Sequence, residues 1–591
     1  MQNLQQKTSR FFGTILVLLL IVYNNVSAQK NLFSLIPNQA LFITTVHSGV
    51  ITEKLPWEEF AKYQFVEEFA RSVSGALDPE DQDMIREAML NPVNYGVDIK
   101  QSSYGFLEVR PEEGTFATYL FKINDAGKFK GLMDAYFGSN INSLLKKQDA
   151  YLVIYKDNLT IAWQKDHALI SFANIERDYY YDESEEDYEG RLKKAMENYL
   201  IEITTLSNES SLQSNSQFIN WEKNVRDAGS WVNYRDVMRL MNENNYGMYG
   251  GGYGGMMSNM IPMLMELYGE MSIGSDIAFE KGAIYSDNLI YVDKDLMEFS
   301  VKAANRKANK RFLQYMDGEK TIAYMSSSFS PEGLYKGWKE LLMKKAGPIG
   351  ADAVKDLFGI MEIFMDEKAS FNFLKGDLLM AFNGIKSQKV TEIDYIYNPD
   401  TDNYEEEEVT VDRSIPMFTV AFSYGKKEDM MKFIRIFSTL GLLREGKGGL
   451  YEGGGSSGSE SFGTFYLKLD KGMMVISNDE DRMVNGKKYK PMAKEHLDII
   501  SQNTQAVYFS PSKMVDAIIA TEESIMPDQE IAMKEFQALF GDMKMLTHRP
   551  KSSDIYMKQS FSLDLKNKEI NSLKLLFDFI NKQYLNTMKG T

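Results

Sequence analysis

The residues of this chain that could carry chemistry gather mostly in glycine-rich stretches. The run "GMYGGGYGGMM" sets Gly250, Gly252 and Gly255 at the spacing G-x-G-x-x-G. Such a loop brings backbone N–H groups close to a pyrophosphate, provided that a strand precedes it and a helix follows. Here Asp236 to Met241 reads as a helix ahead of the glycines, so a connector is expected and no cofactor is assigned. Gly441 to Lys447 spells G-x-x-x-x-G-K, the letters of a phosphate-binding loop. Gly448 stands where Ser or Thr would hold Mg²⁺, and a helix precedes the motif instead of following it, so this too reads as a helix end.

Other reactive groups are scarce. Cysteine is absent, which removes thiol nucleophiles, disulfides, cysteine metal sites and a lipid-bearing cysteine. The four histidines are His47, His167, His496 and His548, and no two have the spacing of a zinc motif. No G-x-S-x-G elbow is present, while Ser330 and Ser510 stand before prolines and read as helix caps. No catalytic residue is assigned. Asp400 and Asp402, in "YNPDTDNYEEEE", offer the oxygen ligands that Ca²⁺ prefers, without the glycine or the spacing of an EF-hand. They are calcium candidates inside an acidic hairpin. Met256, Met257 and Met260 make a candidate partner surface, because thioether side chains adapt to many shapes.

The elements that position these residues follow from pattern. Lys7 and Arg10 precede an uncharged apolar run from Phe11 to Tyr23, and Val26-Ser27-Ala28 supplies a cleavage site. This predicts a secretory leader over residues 1–28, whose apolar run is too short to span a bilayer. A net charge of −17 disfavours nucleic acid as a partner. Alternation across Phe116 to Lys122 predicts a strand, and Phe433, Ile436, Phe437 and Leu440 recur at helical spacing. Strands come as hairpins separated by single helices. The expected class is α+β, with mainly antiparallel sheets and helices packed on one face.

Short echoes point to an internal duplication. Leu267 to Met271, Leu357 to Met361 and Leu539 to Met543 share L-[YF]-G-x-M, with the glycine suited to a helix C-terminus. "AYMSSSFSPEGL" resembles "AVYFSPSKMVDAI", and Thr115 to Phe137 parallels Pro416 to Phe437. Two copies of one half follow, each with a larger and a smaller α+β unit: residues 29–227, 228–316, 317–502 and 503–591. The segments Tyr179 to Gly190 and Tyr397 to Glu408 read as acidic, tyrosine-rich loops.

"LIPNQALFITTVHSGVITEKLPWEEF" (Leu35 to Phe60) and "NYGVDIKQSSYGFLEV" (Asn94 to Val109) resemble the opening elements of a family of exported Bacteroidota proteins of unknown function. The resemblance implies an exported protein and carries no catalytic residues. Many members bear a lipid-anchoring cysteine after the leader; this chain has none, which leaves a periplasmic protein, or a secreted or cell-surface one without a lipid anchor. The expected function is a non-enzymatic scaffold or binding module for an envelope protein or glycan. The alternative is a hydrolase of an extracellular glycan or peptide that uses a carboxylate pair.

Overall fold

The computed structural model describes residues 32–74, 79–110, 113–138, 141–175, 184–243, 265–345, 347–364, 366–398, 403–453, 464–485, 490–521 and 525–590. The fold is α+β and internally duplicated. It divides into two compact units: one runs to Val292 and takes in the chain again from Lys568, and the other is Asp293–Asn567.

The first unit holds strands β1 (Phe42–Val46), β2 (Ser103–Arg110), β3 (Gly114–Lys122), β4 (Leu145–Gln148), β5 (Tyr151–Lys156), β6 (Leu159–Trp163), β7 (His167–Asn174), β8 (Ala228–Asn233), β9 (Ser272–Glu280) and β10 (Ala283–Tyr291). Every pairing between them is antiparallel, and the spatial order is β10-β9-β8-β1-β2-β3-β7-β6-β5-β4. The β1–β8 pair lies at the centre of a repeat, because each of these strands leads into a helix and then into a hairpin. The residues expected as 29–227 and 228–316 therefore contribute to one sheet.

Period-2 alternation gives this sheet two faces. One carries Phe116 and Trp231. Tyr199, from the helix Glu185–Thr204, stacks on Phe116 at 4.1 Å between ring centroids, and Trp221 lies 5.5 Å from Trp231. The indole of Trp221 rests on Gly274, where a Cβ would meet the ring at 2.3 Å. Only glycine lets the ring come that close. The other face carries Tyr119 and Phe121, covered by Phe129 and Met133 of the helix Ala126–Phe137 and by Trp57, Phe60 and Tyr63.

The second unit repeats the plan with β11 (Ala323–Ser328), β12 (Leu374–Asn398), β13 (Asn403–Tyr424), β14 (Leu443–Glu445), β15 (Leu450–Gly453), β16 (Phe465–Asp470), β17 (Met473–Ser477), β18 (Asn503–Phe509), β19 (Phe540–His548) and β20 (Tyr556–Leu565). Its order is β20-β19-β18-β11-β12-β13-β17-β16-β15-β14, strand for strand that of the first unit. Its core lies under Tyr324, Leu379, Ala381, Ala421, Val475 and Tyr508, against Phe312, Met316, Met483 and Ile500.

His496 packs against two tyrosines of that core. Its Nδ1 is 2.9 Å from the Tyr324 hydroxyl, and its ring meets Tyr508 edge to face at 4.7 Å. Burial lowers its pKa, against the pull of Glu495. The folded form thus disfavours the proton that the unfolded chain accepts below about pH 6.5. The second unit should keep full stability above that pH and lose part of it as the pH falls through the lowered folded pKa. In urea titrations, His496→Gln should remove this slope between about pH 7 and 5; an unchanged slope would assign the effect to other groups.

Several local expectations change. Residues 185–190 are not loop but the opening of the helix Glu185–Thr204, capped by Ser184, which accepts from the Asp187 N–H. Glu185, Glu186 and Asp187 occupy its first turn, where carboxylates favour the positive helix end. The second acidic stretch is mostly ladder, since β12 runs to Asn398 and β13 starts at Asn403. Gly359 lies inside the helix Gly347–Phe364 and Gly541 inside β19, and neither they nor Gly269 has a positive φ. The L-[YF]-G-x-M echo is therefore not a left-handed helix cap. Two of its copies share a place in the duplicated fold, at the entry to β9 and to β19.

Candidate functional site

The glycines Gly250, Gly252 and Gly255, the methionines Met256, Met257 and Met260, and the carboxylates Asp400 and Asp402 all lie outside the described residues. Among the described residues, no group of three or more His, Asp or Glu side chains comes together in a way that could hold a metal ion.

The buried polar side chains serve the fold. His167 Nε2 is 2.7 Å from the Tyr151 hydroxyl and its Nδ1 is 2.9 Å from Asp166, an arrangement reminiscent of a proton relay. The imidazole is 1 % exposed, so no substrate reaches it. Burial raises the Asp166 pKa, but the Lys122 hydrogen bond and the charge of His167 outweigh it and hold the carboxyl below its ordinary range. Asp227 is fully buried, accepting from Lys54 Nζ at 2.7 Å and from the Phe279 N–H at 2.6 Å. Glu222 takes the Tyr104 hydroxyl at 2.9 Å and faces His47 at 3.4 Å. The carboxylates of Asp166, Glu222 and Asp227 thus each have a partner, as buried polar groups in low dielectric need.

An apolar surface in the second unit is different. Residues directly opposite each other on antiparallel strands point to the same face. The ladders align Phe561, Met545, Val507, Met325, Met380, Val420 and Ile476 in one row across seven strands. Three of them stand out in solvent: Met325 is 44 % exposed, Met380 45 % and Met545 47 %. The neighbouring row on this face adds Met543, Phe509, Ala323 and Phe382.

The first unit supplies an internal control. Its central pair Thr44↔Ser230 corresponds to Met325↔Val507, since each is the middle rung of the β1–β8 or β11–β18 ladder. Extended outward, the first row reads Asn288, Ser275, Ser230, Thr44, Gly105, Tyr119, Ile170. Asn, Ser, Ser, Thr and Gly stand where the second unit has Phe, Met, Val, Met and Met. The same sheet forms with either set, so folding does not demand methionine there.

Met325→Thr should therefore be tolerated, changing stability by less than about 1 kcal/mol, as at surface positions in general. Binding of a hydrophobic fluorophore should fall at the same time. A loss of several kcal/mol would show that Met325 serves packing.

Helices of the same unit add further apolar side chains. The helix Gly347–Phe364 exposes Leu357, Ile360, Met361 and Ile363. In Lys427–Thr439 the helix buries Met430 and Ile434 against the sheet, while Phe433 and Ile436 are exposed. Apolar residues at helical spacing ordinarily mark a core-facing stripe; here part of the stripe faces water. Large exposed apolar surface on a folded protein marks an interaction site.

No family model matches the chain and no curated protein matches it. Among solved structures, "Structure of crystal form I of TP0453" aligns with a TM-score of 0.23 and 6 % identity, covering 45 % of this chain and 81 % of that one. Crystal form III of the same protein aligns with a TM-score of 0.17 and 8 % identity. At such scores the alignments support no argument about fold or function. Among the described residues, no helix is long and apolar enough to cross a membrane.

Proposed function

We propose that this chain is an exported, non-enzymatic binding module, and that the Met-rich face of its second sheet is the surface it offers. The observation that carries the reading is the contrast between two equivalent rows. Thr44, Gly105, Ser230 and Ser275 form one, and Met325, Met380, Val507 and Met545 form the other. Apolar side chains held at 44–47 % exposure raise the free energy of the isolated protein, and a partner that covers them recovers it. Methionine suits such a surface because its thioether repacks against varied shapes. The leader over residues 1–28 and the resemblance to exported proteins support an envelope or extracellular setting, where no lipid-bearing cysteine is available.

The test is site-specific photo-crosslinking in producing cells, combined with fractionation. A crosslinker at position 325 should capture a discrete partner, and one at position 44 should not. Equal capture at both positions, or at neither, would sink the reading. Retention of the protein in the cytoplasm would sink the exported part.

A further inference from the structure

The hairpin of β12 and β13 outgrows the sheet it belongs to. Its counterpart in the first unit, β2 and β3, closes at the rung Arg110↔Gly114. Counted from the corresponding rungs Thr44↔Gly105 and Met325↔Met380, Arg110 takes the place of Ile385. β12 and β13 continue past that point through thirteen further rungs, from Lys386↔Ile415 to Asn398↔Asn403. At about 3.4 Å per residue this ribbon extends roughly 40 Å. β11 pairs with β12 only from Asp377 to Phe382, and β17 with β13 only from Thr419 to Ser423. Among the described residues, no third strand pairs with either edge of the ribbon.

The two edges differ in sequence. A two-stranded ribbon alone in water is marginal, and a further strand stabilises it. Open edges attract other strands unless charge or proline blunts them. The β13 edge carries Glu405, Glu406, Glu407, Glu408 and Asp412 against the one cation Arg413, a run that repels a second copy of itself. The β12 edge, Lys386 to Asn398, carries Lys386 and Lys389 in its first half and Glu392 and Asp394 in its second, so its formal charge cancels. It also holds Val390, Thr391, Ile393, Tyr395, Ile396 and Tyr397, which favour strands, and no proline or glycine.

We propose that the protein dimerises through the β12 edge of this ribbon, a second copy adding its own β12 antiparallel to give a four-stranded sheet in the order β13-β12-β12-β13. The inference is independent of the Met-rich face. Antiparallel pairing of identical strands is isologous: residue i meets residue j of the other copy, and j meets i. It sets the lysine half of each strand beside the acidic half of the other, twice by symmetry, where parallel pairing would set lysine beside lysine. The charge order along β12 is therefore complementary to itself, which is what singles out a second copy as the partner. The two β13 strands end on the outside, three strand spacings or roughly 14 Å apart, beyond a Debye length at physiological salt. Their carboxylates discourage further addition, so assembly stops at two.

Analytical ultracentrifugation of the full mature chain tests the proposal, with a dimer expected at micromolar concentration. Replacing Gln388–Arg413 with Asn-Gly closes the rung Ser387↔Ser414 by a two-residue turn and should leave a monomer with an unchanged melting temperature. Lys386→Glu with Lys389→Glu makes both halves of the edge acidic and should weaken the dimer by about tenfold or more. Adding Glu392→Lys and Asp394→Lys reverses the charge order and should restore it. The chain has no cysteine of its own, so a disulfide scan is unambiguous. Single cysteines placed in turn from Ser387 to Ile393 should give a disulfide-linked dimer where the scan crosses the two-fold axis, and cysteines at the rung partners from Ser414 to Glu408 should not. A monomeric wild type, a dimer that survives the ribbon replacement, or crosslinking from both strands alike would overturn the proposal. So would a ribbon that crosslinks to a different protein in producing cells while the purified chain stays monomeric.

Discussion

Ending the chain at Asn567 should unfold or severely destabilise the first unit, although the deletion lies far from it in sequence. The last helix, Ser572–Gly590, belongs to that unit. Leu573 is 3 % exposed within its core. The Phe577 ring lies 5.2 Å from Phe60, 5.9 Å from Tyr63 and 6.0 Å from Phe65, between ring centroids. Polar contacts fix the helix in register: Asp578 accepts from the Tyr63 hydroxyl at 2.6 Å, Asn581 from the Gln64 N–H at 2.8 Å, and Lys574 pairs with Glu59 at 2.7 Å. Burial, with the Asp578 carboxylate adding to it, pushes the Tyr63 pKa up, so its hydroxyl stays a donor at any ordinary pH.

Phe577→Ala alone should cost about 2–4 kcal/mol, the range for truncating a large aromatic that is not fully enclosed. In a unit of this size that lowers the melting temperature by roughly 5–12 °C. Tryptophan fluorescence reads it directly, because Trp57, Trp163, Trp221 and Trp231 all lie in the first unit and Trp338 in the second. A Phe577→Ala protein whose fluorescence transition coincides with the wild type would show that the helix is dispensable. The reverse placement occurs after β10. There the helix Lys294–Ala303 belongs to the second unit, where Phe299 packs on Trp338 at 5.6 Å and Lys344 pairs with Asp295 at 2.8 Å.

Asp377→Ala should be the most damaging single change in the second unit. The carboxylate is fully buried at the start of β12 and fills its acceptor sites from four donors. Arg306 donates through Nη2 at 2.7 Å and Nε at 3.1 Å, the Asn309 N–H at 3.0 Å and Ser423 Oγ at 2.8 Å. Removing one partner of a buried charged pair leaves the other uncompensated and costs about 3–5 kcal/mol. Two further segments lose their anchor: the one with Arg306 and Asn309 ahead of β11, and the one with Ser423 near the end of β13. Asp377→Asn should lose less, because its amide oxygen still accepts from Ser423 and Asn309. Hydrogen exchange in peptides covering 374–383 measures the effect site by site. Protection reduced by less than about tenfold in Asp377→Ala, or about 1.4 kcal/mol, would mean that the network is a minor contributor.

Much of the architecture is legible along the chain because it is set by local pattern. The alternation of Phe116 to Lys122 is β3, and the helical spacing near Phe433 is a helix over Lys427–Thr439. The repeated order of strand, helix and hairpin is visible because both halves need the same periodicities to build the same sheet. The helix Glu185–Thr204 was hidden by its own beginning. A run of carboxylates resembles a solvated loop, and only the Ser184 cap signals that a helix starts there.

The candidate surface was the least legible part. "LLMAF" and "AVYF" are continuous apolar runs, a pattern that ordinarily marks strands buried on both sides. Leu379, Ala381 and Tyr508 are buried, while Met380 on the other side is exposed. One residue of shift in a ladder exchanges the two faces. Register between strands far apart in sequence therefore decides whether a methionine fills a core or meets water.

The sequence by itself determined the α+β class, the internal duplication, the absence of cysteine chemistry and an expected export leader, because these depend on composition and on short periods. Tertiary structure alone decided that the last helix of the chain completes the first unit, and that Met325, Met380 and Met545 stand in one exposed row. Those are pairings between residues tens to hundreds of positions apart, set by packing and hydrogen-bond register that no local period encodes.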